Sequence, residues 1–530
     1  MAEDQRMVTV KTPASQRTQI LLFILGLGVY SYFYQAGGWN QNSRFDLVRS
    51  IVEQGSAKID RYHENTGDKA RRGDHYYCDK APGVSWLAVP VYAGVYGAGG
   101  GGDMGSTCLA AASYLATVWA VSIPAAMALV MLFRLLAIMG LSMPASLAVS
   151  LAYGFGTLAF PYATLFYGHQ LSASLLLIGF ALLVQARQAP QARSRGFYFA
   201  TGVLLGYSIT VEYPAVLAVA VLGAYALWFV KPRERLMALV FGIAVPVLTL
   251  MAYHAIVFGG PLTVPYDFST QEHRGQGFFM GLGAPLDGAI RGVLISSHRG
   301  LFYSAPWLLF ALPGAAWLWR RRKFRAEGVV CVVVSLLFVW LNVSLVDWAG
   351  GATFGARYLI LAIPFLAIVA GGLASRPAET ASRLARGAVW GIFSVMAGWS
   401  VSHMLLATAV LPEVEVYYGR PFQERLYPAF RLGLLGVNTQ SFDSSEKPAY
   451  GQPEAWNLGG LLGLEGRATL IPLALFTVSI TGLMLQSVRR QDRGDPAGAE
   501  KHQAPRRRSQ RLYRKKTGRG RPRGGSQRGN

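Results

Sequence analysis

The chain has 530 residues, of which 52% are hydrophobic and only 15% charged, with a formal net charge of +22. From Met104 to Ala186 the sole formally charged residue is Arg134. A run of about 18 apolar residues is already long enough to cross a bilayer, so a soluble globular enzyme is excluded. Three cysteines, with only Cys78 outside a hydrophobic stretch, exclude a disulfide-stapled secreted domain.

The first span covers 19–35. Lys11 and Arg17 precede it and place the N-terminus in the cytoplasm. A polar loop at 37–81 follows, then a short proline-containing segment, 84–95, that reads as an interfacial or re-entrant helix. The next spans are 107–133, 135–160 and 167–184, with Arg134 separating the first two. Arg193 and Arg195 precede the stretch 196–230, and Lys231, Arg233 and Arg235 follow it. Both clusters belong on one side, which requires two short spans with a turn at residues 212–214, where Pro214 disfavours helix at the residue before it. A span at 236–258 leads to a second polar loop, 259–304. The return span, 305–319, ends in Arg320, Arg321, Arg322, Lys323 and Arg325. Spans at 329–346, 358–374, 388–410 and 469–487 complete a count of about twelve. Both termini are then cytoplasmic, and loops 37–81, 259–304 and 411–468 share the outer face. From Arg489 onward there are 15 Lys or Arg and three acids, a local charge of +12. This Arg-, Gly-, Pro- and Ser-rich tail cannot bury enough apolar surface to order itself. It reads as a disordered cytoplasmic segment that helps fix orientation, in preference to a surface for acidic lipid or nucleic acid. Nucleic acid is not an expected partner.

Loop 37–81 is far longer than two helices need, and seven of the chain's 28 acids lie in it. Within it, residues 43–54 have helical spacing, with Phe45, Val48, Ile51 and Val52 on one face, as suits a helix lying on the membrane surface. Asp46 then sits just above the first span. There a carboxylate serves as general base for an acceptor hydroxyl or amine, or holds a divalent metal such as Mg or Mn. The bland alternative is a solvated helix face. Residues 76–83 read YYCDKAPG. Lys80 stands at a helix start beside the lipid headgroups and suits a phosphate, the alternative being a snorkelling anchor. His169, in YGHQ, and Glu212, in VEYP, are polar residues at similar depth, and such residues are functional candidates. The stretch 347–358, DWAGGATFGARY, offers glycines for close backbone approach, Trp348 as a flat apolar surface, and Arg357 as a fork for phosphate.

The pieces NQNSRFDLVRSIVEQG (40–55), IDRYHENTGD (59–68), YYCDKAPGVSWLAVPVY (76–92), FYGHQLSASLLL (166–177), VEYP (211–214) and WAGGATFGARYL (348–359) resemble the bacterial polyprenyl-phosphate-sugar-dependent glycosyltransferases of the GT-C class. These include the protein O-mannosyltransferase-like and aminoarabinose-transferase-like families. The resemblance implies an all-α, polytopic, GT-C-like membrane enzyme of about 12 transmembrane helices plus an interfacial helix in the first outer loop. Hydropathy and charge divide the chain into a cytoplasmic N-terminus (1–18), a catalytic membrane domain (19–410), an outer loop (411–468), a last span (469–487) and the basic tail (488–530). The resemblance further implies inverting transfer of a sugar from a polyprenyl-phosphate donor to a glycolipid, polysaccharide or protein acceptor on the outer side of the bacterial inner membrane. The catalytic acid is expected in the first outer loop. Where the family often has two adjacent acids, this chain has Phe45-Asp46, and Asp60, Asp68 and Asp79 are rivals. Lys80, Arg357 and Tyr358 are the implied donor-phosphate residues, supported by Arg44, His169, Glu212 and Trp348. A transporter, flippase or polymer ligase for lipid-linked glycans is the alternative function.

Overall fold

The computed structural model describes residues 16–271, 281–320, 322–374, 382–437, 441–442 and 454–492. The start of the N-terminal segment, most of the basic tail and parts of the second and third polar loops lie outside the described residues. In chain order the principal helices are α1 (Gln16–Tyr30), α2 (Trp39–Gln54), α3 (Gly83–Ala98), α4 (Ser106–Ile138), α5 (Met143–Phe155), α6 (Gly168–Gln188) and α7 (Arg195–Val211). They continue as α8 (Ala215–Phe229), α9 (Arg233–Phe258), α10 (Ala311–Arg320), α11 (Arg325–Val343), α12 (Ile363–Ala374), α13 (Arg383–Val410) and α14 (Ile471–Asp492).

Among the described residues, 6 helices are long and apolar enough to cross a membrane: α4, α6, α9, α11, α13 and α14. Three shorter apolar helices, α5, α8 and α12, accompany them. This corrects the expected count of about twelve. The physical reason is length. At about 1.5 Å per residue, the 13 residues of α5 cover roughly 20 Å, short of a hydrocarbon core of about 30 Å. Arg134 is a second correction. It does not separate two spans but lies within the continuous α4, where its side chain is exposed. The chain turns later, at Gly140 with φ of 95°. The Ser142 hydroxyl then accepts from the Ala145 N–H and starts α5. The two short helices around residues 212–214 form as the charge pattern requires, with Glu212 extended between them.

The 43–54 segment is helical, as α2, but it does not lie on a surface with its polar face in water. Asn40 through Val48 are all buried, charged residues included. The all-α expectation also needs an addition. Strand β1 (Phe33–Gln35) pairs antiparallel with β4 (Ala455–Asn457), tying the end of α1 to the chain before α14. The hairpin β2 (Lys69–Arg72) and β3 (His75–Cys78) turns through Gly73. Ser269 of the second polar loop bridges to Ala70, so the two loops join edge to edge.

An apolar core runs through α1, α4–α6, α8 and α10–α13, and a second cluster lies under α2 and α3. Helix direction then sorts charge. Loop 37–81 meets the start of α6 and the ends of α7, α9 and α13 at one end of the bundle, through Arg44–Glu212, Arg72 to the Val257 carbonyl, and Gln41 with both the Phe166 N–H and Glu413. The opposite end carries the Arg187–Glu327 pair and the contact of Arg235 with the Pro190 carbonyl. The basic residues Arg187, Arg193, Arg235 and Arg325 gather there.

Candidate active site

Helix α2 presents two different faces to its surroundings. Gln41 and Arg44, three residues apart, share one face. Arg44 is 1% exposed. Its Nη2 donates to Glu212 Oε1 at 2.9 Å, its Nη1 to the Ala81 carbonyl at 3.0 Å, and its Nε to Asn40 Oδ1 at 3.0 Å. One guanidinium therefore fastens the first loop, the start of α3 and the α7–α8 turn. His169 Nδ1 lies 3.4 Å from the same Glu212 oxygen. Burial raises the Glu212 carboxyl above its usual range, and the charges of Arg44, Lys80 and Arg357 oppose that rise.

Lys80 is 2% exposed, and its ammonium lies 2.9 Å from Asp68 Oδ2 and 2.9 Å from Asp79 Oδ1. Gln271, from the second polar loop, donates to Asp68 Oδ1 at 2.6 Å and to the Gly67 carbonyl at 3.1 Å. Arg357 is buried, with its guanidinium carbon 5.2 Å from the Tyr358 ring centre and 5.8 Å from that of Tyr167. Its Nη2 reaches the Tyr358 hydroxyl at 3.4 Å, and its Nε has no hydrogen-bond partner among the described residues. The turn that carries Arg357 is gripped from behind. Arg299 donates to the carbonyls of Ala349 at 3.0 Å, Gly351 at 2.8 Å and Thr353.

Glu413 completes the cluster. Tyr167 donates its hydroxyl to Oε1 at 2.5 Å and Gln41 donates to Oε2 at 2.6 Å. Burial raises this carboxyl; those two hydrogen bonds and the charge of Arg357 counter it, while Asp68 adds to it. Two glycines make room for the acids. A Cβ at Gly38 would overlap the Glu413 carboxylate, and one at Gly168 would overlap that of Glu212. The result is a buried cluster of three cations, four carboxylates and one imidazole, with aromatic rings at Tyr167 and Tyr358.

No family model matches the chain, and no curated protein matches it. Among solved structures, it is similar to ArnT from Cupriavidus metallidurans bound to undecaprenyl phosphate, at 16% identity over 91% of this chain and 77% of that one, TM-score 0.43. The apo state of that protein gives 17% identity over 90% and 78%, TM-score 0.45. The archaeal oligosaccharyltransferase AglB from Archaeoglobus fulgidus, in complex with an inhibitory peptide and a dolichol-phosphate, gives 9% identity over 82% and 61%, TM-score 0.44.

The structure thus brings Arg44, Lys80, Asp68, Asp79, His169, Glu212, Arg357 and Tyr358 together. It places three other expected residues elsewhere. Asp60 binds His75 Nδ1 and the Tyr76 N–H, each at 2.7 Å, on the half-exposed hairpin. The Trp348 ring packs on Gly292. Asp46 lies on the second face of α2, where Asn65 Nδ2 donates to its Oδ1 at 3.1 Å and its Oδ2 has no partner among the described residues. Burial pushes its carboxyl from 3.8 up to about 8, against the pull of Asn65, Arg49 and Lys69. Among the described residues no three His, Cys, Asp or Glu side chains converge as metal ligands.

A raised folded value has a defined sign. The fold bears no ionisation cost from Asp46 below about pH 4, and the cost grows as pH rises toward about 8, by roughly 1.4 kcal/mol per pH unit. Asp46→Asn, which keeps the shape and removes the charge, is expected to unfold like wild type near about pH 4. It should be progressively more stable than wild type up to about pH 8. Thermal unfolding of both proteins in detergent across that range checks this, and a difference that shrinks as pH rises contradicts it.

Sequence reasoning missed Gln41, Tyr167, Gln271 and Glu413 as parts of the cluster. Glu413 carried one usable signal: it follows α13 directly, in LPEVEV, an acid at the membrane boundary.

Proposed function

We propose that this protein is a GT-C-like membrane glycosyltransferase that moves a sugar from a polyprenyl-phosphate donor to an acceptor hydroxyl or amine, with inversion at the anomeric carbon. The observation that carries this reading is the buried convergence of Lys80 and Arg357 with acids at one end of a membrane-spanning bundle. Polyprenyl phosphate is a competent leaving group once its oxygens are neutralised. Lys80 and Arg357 hold the phosphate and offset the charge that develops as the C1–oxygen bond breaks, and Tyr358 steadies the guanidinium. The lipid chain lies between apolar helices. A carboxylate next to this pair, Asp68, Glu212 or Glu413, takes the acceptor's proton on the opposite face of the sugar. Asp46 stays the family-based candidate for that base, but its place on a separate face of α2, bonded to Asn65, favours the other acids.

The basic residues at the far end of the bundle support a site on the periplasmic or extracellular side of a bacterial inner membrane. The acceptor is a glycolipid, a polysaccharide or a protein reached from that side. The experiment is direct: purified protein in lipid is titrated with polyprenyl phosphate, and saturable binding that competes with the sugar-loaded donor is the expected result. Absence of binding removes the reading.

A further inference from the structure

The Lys80 ammonium already faces two carboxylates, Asp68 and Asp79, at 2.9 Å each, in a space where all three side chains are buried. A donor phosphodiester reaching the same ammonium adds a third anion. Like charges this close do not all stay ionised and in place away from water. One acid has to move. Asp79 adjoins Lys80 in the chain and is 0% exposed. Asp68 comes from a separate segment and retains 9% side-chain exposure. Its other oxygen is tethered by Gln271, a residue of the second polar loop. That loop docks on the hairpin through the Ala70–Ser269 bridge and the Thr270 N–H to Lys69 carbonyl bond of 3.0 Å. Asp68 therefore has both a place to leave and a tether that guides where it goes.

Building on the proposed transferase reading, we propose that Asp68 holds the phosphate's place on Lys80 until the donor arrives, and that the displaced carboxylate then serves as the base for the acceptor. In the step, the acceptor oxygen forms a bond to the sugar C1. The bond from C1 to the phosphate oxygen breaks, and its electron pair stays on the phosphate beside Lys80 and Arg357. The acceptor's proton passes to the Asp68 carboxylate. Losing its cation makes Asp68 more basic, so the base is competent only when the donor is in place. Donor binding then precedes acceptor activation, and the empty enzyme carries no exposed base.

The test compares wild type, Asp68→Asn, Asp68→Glu and Gln271→Ala as purified full-length proteins. Binding of sugar-free polyprenyl phosphate and turnover of the sugar-loaded donor are measured separately. Asp68→Asn removes the competing charge and the base together, so polyprenyl phosphate should bind about tenfold more tightly. In the same variant kcat should fall by about 10²–10⁴-fold. Asp68→Glu restores part of the turnover at near wild-type affinity. A residue that merely supports the fold would lose affinity and turnover together, and that result in Asp68→Asn overturns the proposal. So does unchanged affinity with normal turnover. If Asp68→Asn does not fold, Gln271→Ala decides: freeing Asp68 from its tether should tighten polyprenyl phosphate binding several-fold, and unchanged or weaker binding rejects the exchange. If wild type itself binds no polyprenyl phosphate, the transferase reading fails first, which separates the two claims.

Discussion

Arg357→Ala lowers kcat/KM for a polyprenyl-phosphate sugar by about 10–100-fold, because a hydrogen bond to a charged group contributes roughly 1.5–3 kcal/mol and each 1.4 kcal/mol is about tenfold. Both kcat and donor affinity fall, since the cation meets the phosphate in the ground state and meets more charge as the bond breaks. Arg357 is the sharper probe of the two cations. Its guanidinium is buried against Tyr167 and Tyr358, and its Nε has no hydrogen-bond partner among the described residues. A buried donor left without a partner is costly, and an incoming phosphate oxygen relieves that cost. Arg357→Lys recovers only part of the loss, because a compact ammonium cannot fork onto two oxygens. Lys80→Ala, by contrast, leaves Asp68 and Asp79 facing one another without their cation, so its effect mixes binding with local repulsion. Steady-state kinetics at equal folded enzyme, with donor binding measured alongside, check the pair. Unchanged affinity and turnover in Arg357→Ala remove the guanidinium from the site.

Arg44→Met destabilises the protein by about 3–5 kcal/mol, the usual cost of stranding one partner of a buried ion pair. Glu212 then keeps a buried carboxylate with His169 beside it and no guanidinium at 2.9 Å. The loss also frees the Ala81 carbonyl and Asn40, so the KAPG start of α3 loosens from α2. The double variant Arg44→Met/Glu212→Gln recovers a large part of the stability, since no charge is left stranded. Thermal unfolding in detergent reads both. Equal stability of Arg44→Met and wild type shows that the pair does not hold these segments together.

How much of this was written in the sequence depends on range. Lys80, Arg357, Glu212 and His169 were legible because each sits beside a local marker: a proline at a helix start, a glycine-rich turn, or the end of an apolar run. The short α7–α8 pair was legible because two basic clusters demanded the same side. What failed was anything decided by distant chain. Glu413 reaches Tyr167 across 246 residues, and no spacing rule connects them. The face Asp46 occupies was invisible for the same reason: Asn65 and Phe442 cover it from two separate loops. The apolar period of α2 correctly signalled a helix, and Phe45 and Val48 are buried as it implies. It misread the polar positions as solvated, because the cluster covers Gln41 and Arg44, and Asn65 covers Asp46. Arg134 does not act as a stop, because a single exposed cation near the end of a long helix interrupts no backbone hydrogen bond. The turn waited for Gly140 and the Ser142 cap.

The most direct measurement uses purified protein in lipid, a polyprenyl-phosphate sugar of known anomeric configuration, and glycolipid, polysaccharide and peptide acceptors offered in turn. Products are followed by mass spectrometry and NMR. The expected result is a glycosylated acceptor with the opposite anomeric configuration, one free polyprenyl phosphate for every sugar moved, and a rate that collapses in Arg357→Ala. Retention of configuration, or a lipid-linked sugar carried across the membrane with its phosphate bond intact, contradicts it.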